Sequence, residues 1–269
     1  MSKLKILSIS NFISVILIIT INSLANIIPF NGKYTGELSD QIPNLFVPSG
    51  ITFSIWGVIY FLLICFGIFQ ILNIFSKKEI NNFDYINKIG YIFILSCIAN
   101  IIWIFLWHYE QVLLSLFFMI ILLLSLISIY LRLNIGKSNI KFKEKIFIHI
   151  PFSIYLGWIT VATIANITAI LVKLNVGQLF LGEDIWTILM IIIAGLLTII
   201  ILMKRKDIAY SLVIIWALLG IALKRFSDDP IYGIKTNIAY TSIIIIIIIL
   251  IGIFILSFYS KIKNKKISR

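Results

Sequence analysis

Hydrophobic positions along this chain do not alternate with polar ones. They run in long unbroken blocks, separated by short polar breaks. The blocks read roughly Leu4–Ile28, Ile51–Phe75, Ile89–Trp107, Val112–Leu133, Ile146–Val172, Ile185–Met203, Ile208–Leu223 and Ile238–Tyr259. An apolar stretch of about 18 residues or more reaches across the ~30 Å hydrocarbon core of a bilayer as a helix. Only helices and closed barrels satisfy their backbone inside lipid, and a barrel needs short alternating segments, which are absent. The pattern predicts an all-α polytopic membrane bundle of about eight transmembrane helices. The seventh block is the shortest. Between Ile185 and Leu223 the only break is Lys204-Arg205-Lys206-Asp207, which predicts a tight turn.

Composition agrees with the pattern: 61% of residues are hydrophobic and 13% charged, against about 45–50% and 25% in soluble domains. The charge adds orientation. With eight spans and a cytoplasmic N-terminus, only Lys33, Lys173, Lys224, Arg225 and Lys235 of the 23 basic residues fall outside. Such an excess of Lys and Arg marks the cytoplasmic loops, so both termini are expected there, in the plasma membrane of a prokaryote. The net charge of +12 sits in short loops beside spans and forms no face of a soluble domain. Contact with anionic membrane lipids accounts for it, and no nucleic-acid partner is expected. The first block has an apolar region longer than a signal peptide's 7–15 residues and reads as a retained helix. Cys65 and Cys97 lie in separate spans and suggest packing residues, with no disulfide or metal framework.

Most connections are short. The exception is the stretch from Pro29 to Ser49, rich in turn formers (Asn31, Gly32, Gly36, Pro43, Pro48) and long for a compact domain. Leu45, Phe46 and Val47 within it predict a loop folded back on the membrane face. Gly136–Lys145 is a basic loop that reads as an orientation signal, and Ile243–Ile249 is an isoleucine run suited to lipid contact. Polar residues within spans carry more information, because an unpaired amide in lipid is costly and turns inward. Asn22 and Asn26 share a face of the first span. Asn100, Trp103 and Trp107 follow one another in the third. The fifth carries Trp158, Thr160, Thr163, Asn166 and Thr168, with a small-residue stripe of Ala162, Ala165 and Ala169 that would let another helix approach. Two readings stand side by side: interhelical hydrogen bonding with close packing, or an aromatic pocket with a few amides, the usual makeup of a small-molecule site. A homodimer is a further expectation.

Catalytic chemistry finds little purchase. His108 lies beside Glu110 near an outer helix end, and His149 opens the fifth span at the other face, so one metal site cannot use both. Asp228 and Asp229 read as solvated partners of Lys224 and Arg225. No nucleophile triad, phosphate loop or two-metal carboxylate set is present. Almost no ionisable residue lies deep in a span, against the habit of ion-coupled transporters.

Three stretches resemble the tryptophan-rich sensory protein family, the translocator proteins (TspO/MBR). The first is Pro43-Asn-Leu-Phe-Val-Pro48 followed by Ile55-Trp56-Gly57-Val-Ile-Tyr60. It is similar to the family's Lys-Pro-Ser-Trp-x-Pro-Pro loop, with a Trp eight residues after the last proline and a Tyr four beyond. Pro43, Pro48, Trp56 and Tyr60 fall on those places, while Ile42, Leu45 and Val47 replace the lysine, the loop tryptophan and one proline. The second is Ala99-Asn100-Ile-Ile-Trp103, similar to Leu-Asn-x-x-Trp in the family's third helix. The third is Trp158-Ile-Thr-Val-Ala162-Thr163-Ile-Ala-Asn166, which matches the fifth-helix pattern of Trp, Ala-Thr and Asn. Pro151 sits three residues further from the tryptophan than is usual.

The resemblance covers about residues 5–175. It implies a TspO-like five-helix membrane domain over residues 1–178, with three additional transmembrane helices and a basic tail over 179–269. It also implies a pocket opening toward the loop after the first helix, taking a flat hydrophobic ligand such as protoporphyrin, haem or a sterol. The ligand-binding residues it implies are Pro48, Trp56, Tyr60, Asn100, Trp103, Trp158, Ala162, Thr163 and Asn166. A tetrapyrrole would be a ligand and not a required cofactor. The expected role is sensory or carrier and not enzymatic, light-dependent porphyrin degradation being a secondary expectation. A permease for a small hydrophobic molecule and a membrane assembly subunit are the alternatives.

Overall fold

A computed structural model describes residues 3–42, 44–76, 84–174, 182–229, 231 and 233–267. Pro43, Lys77, Lys78 and Asn175 lie outside the described residues, as does the expected domain boundary between 178 and 179. The apolar blocks form eight long helices: α1 Lys3–Ile27, α2 Ile55–Phe75, α3 Ile92–His108, α4 Val112–Arg132, α5 Ile150–Lys173, α6 Glu183–Arg205, α7 Ile208–Phe226 and α8 Thr236–Ile267. Seven of these segments are long and apolar enough to cross a bilayer. The eighth, α3, has 17 residues, about 26 Å at ~1.5 Å per residue, the short end of the spanning range. The protein is an integral, multi-pass helical membrane protein.

The shortest helix is therefore α3, and not α7, which has 19 residues. The difference has a local cause. Gly90 takes a left-handed conformation (φ +53°) and ends a short helix, Asp84–Ile89, that absorbs the start of the third block. A residue with a Cβ enters that region only at a cost. A second irregularity precedes α5, where Lys145–His149 forms a π-helical turn. Pro151 follows it; with no N–H and a ring that collides with the carbonyl four residues back, it disfavours a regular α-turn there.

α1, α2 and α3 pack together, α3 and α4 form an antiparallel hairpin, and α5 lies against α4, α2 and α7. Helices α6, α7 and α8 form a second cluster joined to the first mainly where α7 meets α5. That contact is tight because Gly157 has no side chain: a Cβ there would meet Val213 at 3.0 Å and the Tyr210 carbonyl at 3.2 Å. α8 is the most lipid-like element, with Ile244, Ile247 and Ile248 of its isoleucine run exposed, and Ile251 beyond it.

Even-numbered spanning puts the start of α1, the α4–α5 and α6–α7 connections and the end of α8 at one end of the bundle, the basic end. The long 29–49 segment lies at the opposite, loop end. Inside, buried amides tie the helices: Asn22 Nδ2 donates to Asn100 Oδ1 at 2.7 Å, and Asn100 Nδ2 to the Tyr155 hydroxyl at 3.2 Å. Nearer the basic end, Asn11 donates to Gln70 at 3.1 Å. Asn26, expected on the face of Asn22, is exposed and caps the Asn22 carbonyl of its own helix.

Candidate functional site

The 29–49 segment is folded, as the apolar Leu45-Phe46-Val47 run requires. All three side chains are buried, Phe46 completely. A 3₁₀ turn, Phe30–Gly32, leads into a two-turn helix, Thr35–Gln41. His108 at the end of α3 fastens this start. Its Nδ1 donates to the Phe30 carbonyl at 3.3 Å, since a carbonyl can only accept, and its Nε2 shares a hydrogen bond with the Thr35 hydroxyl at 2.9 Å. Phe30 also stacks on Phe105 at 5.2 Å. On the rim, Lys33 pairs with Glu110 at 2.5 Å, and this hydrogen-bonded ammonium holds the Glu110 carboxyl below the usual range.

The other half of the segment is held from α5 and α7. Asn44 Nδ2 donates to Thr168 Oγ1 at 2.8 Å and to the Ala165 carbonyl at 3.2 Å, while its Oδ1 accepts from Phe46 N at 3.0 Å. Ser49 N donates to the Gly220 carbonyl at 3.0 Å, and Trp216 Nε1 to the Thr52 carbonyl at 2.9 Å. The loop is thus a roof pinned at four places by α3, α5 and α7.

Under the roof lies a cavity of about 60 Å³. Four indoles wall it: Trp56 from α2, Trp103 and Trp107 from α3, and Trp158 from α5. Trp56 is the hub. It stacks on Tyr60 (5.4 Å, 23°) and on Trp103 (6.4 Å, 29°), and meets Trp158 edge-on (6.2 Å, 83°). Trp103 in turn stacks on Trp107 at 6.4 Å. Ala162, Ala165 and Ala169 line the α5 side, with Pro48, Val47, Ile42 and Phe53 completing the apolar wall. No charged side chain is among the described residues of the lining. Asn166 is satisfied on site: its Oδ1 accepts from Trp103 Nε1 at 3.4 Å and Ser115 Oγ at 3.3 Å, and its Nδ2 donates to the Ala162 carbonyl at 3.0 Å. Trp158 is different. It is 3% exposed, and its buried Nε1–H has no acceptor among the described residues.

The structure brings Pro48, Trp56, Trp103, Trp158, Ala162 and Asn166 together on this wall. It leaves Tyr60, Asn100 and Thr163 off it. Tyr60 backs Trp56 from behind; Asn100 bridges Asn22 and Tyr155 in the helix core; the Thr163 hydroxyl donates to the Ile159 carbonyl of its own helix at 2.7 Å. Pro43 is outside the described residues. Trp107, Ala165, Asn44 and Phe53 join the wall without having been singled out as ligand residues. Trp107 and Ala165 had a signal, lying four residues from Trp103 and three from Ala162 on the same helix faces. The alanine stripe lines the cavity.

A wider cleft of about 390 Å³ adjoins the cavity at the loop end and shares Ile42 and Trp107 with it. Gln41, Glu110 and Lys173 stand around it. His149 lies at the basic end, far from His108, and both cysteines are free. Among the described residues no three His, Cys, Asp or Glu side chains converge on a metal position.

These features define a class: a polytopic helical membrane protein with an aromatic chamber beneath a folded interhelical loop. The chain belongs to the TSPO-like protein family, whose model matches residues 8–255. The match therefore runs through α6, α7 and most of α8 as well as the first five helices. No curated protein and no solved structure gives a significant match.

Proposed function

We propose that this TSPO-like membrane protein binds a flat hydrophobic ligand, a tetrapyrrole such as protoporphyrin or haem, against the four indoles beneath the 29–49 roof. The observation that carries this reading is the uncharged chamber walled by Trp56, Trp103, Trp107 and Trp158. Offset stacking of a ring on an indole is worth roughly 0.5–1.5 kcal/mol beyond area burial. The bare Trp158 N–H asks for an acceptor on the ligand, because a buried donor left unmade is costly.

The size of the chamber constrains how binding works. At about 60 Å³ it is far below the roughly 300–1,000 Å³ of a drug-sized site, so the roof must move for a macrocycle to enter. Displacing Ile42 with the Thr35–Gln41 helix would join the chamber to the outer cleft of about 390 Å³. There Lys173 supports acidic ring substituents, which favours a porphyrin over a sterol. The role is sensory or carrier, with the basic end and both termini cytoplasmic.

Protoporphyrin IX titrated into detergent-purified protein should quench tryptophan emission saturably. Ala165→Leu, which fills the chamber, should weaken binding about tenfold or more, as should Trp158→Leu. Absent saturation, or affinity indifferent to both changes, would reject the chamber as a tetrapyrrole site.

A further inference from the structure

A second cavity lies at the basic end, remote from the aromatic chamber. It is a cleft of about 550 Å³ between the turn after α4, the π-helical turn before α5 and the α6–α7 turn. We propose that this cleft binds a phosphate-bearing anion, with its apolar wall seating the attached chain of an amphiphile.

Charge on its walls is unbalanced. Lys145 and Lys206 line it, and neither forms an ion pair among the described residues. The one carboxylate, Asp207, is already committed. Its Oδ2 accepts from the Tyr130 hydroxyl at 2.9 Å and Ser153 Oγ at 2.7 Å, and its Oδ1 from Tyr210 N at 3.1 Å. Such a carboxylate offers little to a cation in the cleft. Ile208 and Ala209, the first residues of α7, lie on the same wall.

His149 gives the second, independent pointer. It is 8% exposed, lines the cleft, and its ring makes no hydrogen bond to the described residues. Such an imidazole is free to donate to or accept from a ligand in the cleft, and π-helical turns such as its own recur at functional sites. Two ammonium groups and an imidazole, Lys145 and His149 from the π-helical turn and Lys206 from the α6–α7 turn, suit a group with at least three acceptor oxygens, which phosphate has and a carboxylate lacks. Ile150 and Leu212 add an apolar wall, and Leu212 is half exposed on the outer surface of its helix. Basic pockets between helix ends bind lipid headgroups by this combination. A soluble phosphate compound offers the same head without the tail.

The chain has two histidines, and His108 sits at the opposite end as an internal reference. Full-length protein in phosphatidylcholine nanodiscs would be followed by the two ring resonances in NMR, with His149→Gln fixing the assignment. Phosphatidylglycerol and, separately, inorganic phosphate are titrated. A saturable shift of His149 alone is expected. The double change Lys145→Gln, Lys206→Gln should weaken it about 25-fold, near fivefold per lysine. Lys141→Gln with Lys143→Gln, on the same face but off the cleft, should leave it unchanged, and an unmoved His108 signal reports intact folding. A response to phosphatidylglycerol but not to phosphate assigns the site to lipid; an equal response to phosphate alone assigns it to a soluble compound. A motionless His149 signal in both titrations, or equal losses in the two double variants, would overturn the proposal.

Discussion

Gly220→Ala tests how α7 holds the roof of the chamber. A Cβ at this position would lie 1.9 Å from Thr52 Oγ1 and 2.9 Å from both Thr52 Cβ and Cγ2. Carbon contacts settle near 3.5–4.0 Å, so Thr52 and α7 must part by roughly 1 Å or more. Thr52 has little room to yield, being 1% exposed and within 3.2 Å of Ser49 Oγ. Overpacking of this kind costs about 1–3 kcal/mol. Separation also strains the Ser49 N–Gly220 carbonyl and Trp216 Nε1–Thr52 carbonyl bonds, each worth about 0.5–1.5 kcal/mol net. A total near 2–4 kcal/mol follows, since both bonds need not break fully. The assay is reversible unfolding in mixed micelles followed by tryptophan emission, in a double-mutant cycle with Thr52→Gly. The small residue at 52 should recover at least ~1 kcal/mol of the Gly220→Ala loss. Strict additivity, or a single-mutant cost below ~0.5 kcal/mol, would refute the contact as the cause.

Three other outcomes are expected. Asn100→Leu removes two buried hydrogen bonds and strands Asn22 Nδ2 and the Tyr155 hydroxyl on their Asn100 sides. It should cost about 1–2 kcal/mol in the same unfolding assay, since such bonds in membranes average about 0.6 and reach about 1.7. Asp207→Ala uncaps α7 and orphans Tyr130 and Ser153; a loss of about 2–3 kcal/mol is expected, with Asp207→Asn milder, read by thermal denaturation. The Lys33–Glu110 pair is exposed and small in effect. Because the folded-state Glu110 carboxyl is depressed, its contribution is present above the unfolded carboxylate range and lost as pH falls through the lower folded value. A nitroxide on Ser39→Cys, with Cys65 and Cys97 replaced by serine, should gain mobility on acidification and in high salt. Glu110→Gln should remove both responses, and a label indifferent to pH and salt would count against the pair as a latch.

Much of this was legible in the sequence, for reasons that also mark where legibility stops. The eight blocks were visible because lipid demands continuous apolar runs, and the buried Leu45-Phe46-Val47 run because three such residues do not stay in water. Six of the nine site residues that the family resemblance implied share one wall. Facing was harder. A helix apolar all round carries no stripe to say which side is inward, so Ala165 and Ala169, noted only as part of a small-residue stripe, line the cavity beside the expected Ala162. Asn100, placed at the pocket by the family resemblance, hydrogen-bonds instead with Asn22 on α1. The docking of Gly220 on Thr52 and of α7 on Gly157 joins distant parts of the chain and has no local signature. Gly90 was the opposite case: one residue inside an apolar run moved a helix start by three places.

The row formed by Trp56, Trp103 and Trp107, with rings about 6.4 Å apart and within 30° of parallel, has an optical consequence. Transition-dipole coupling falls with the cube of separation, so at this range the three chromophores share their excited states and behave as one absorber. The empty protein should therefore carry an exciton couplet in its ultraviolet circular dichroism, out of proportion to its six tryptophans. Removing the middle ring, Trp103, would collapse that signal, whereas losing the distant Trp186 would leave it whole. The chamber thus contains its own gauge of ring spacing, readable without any added dye.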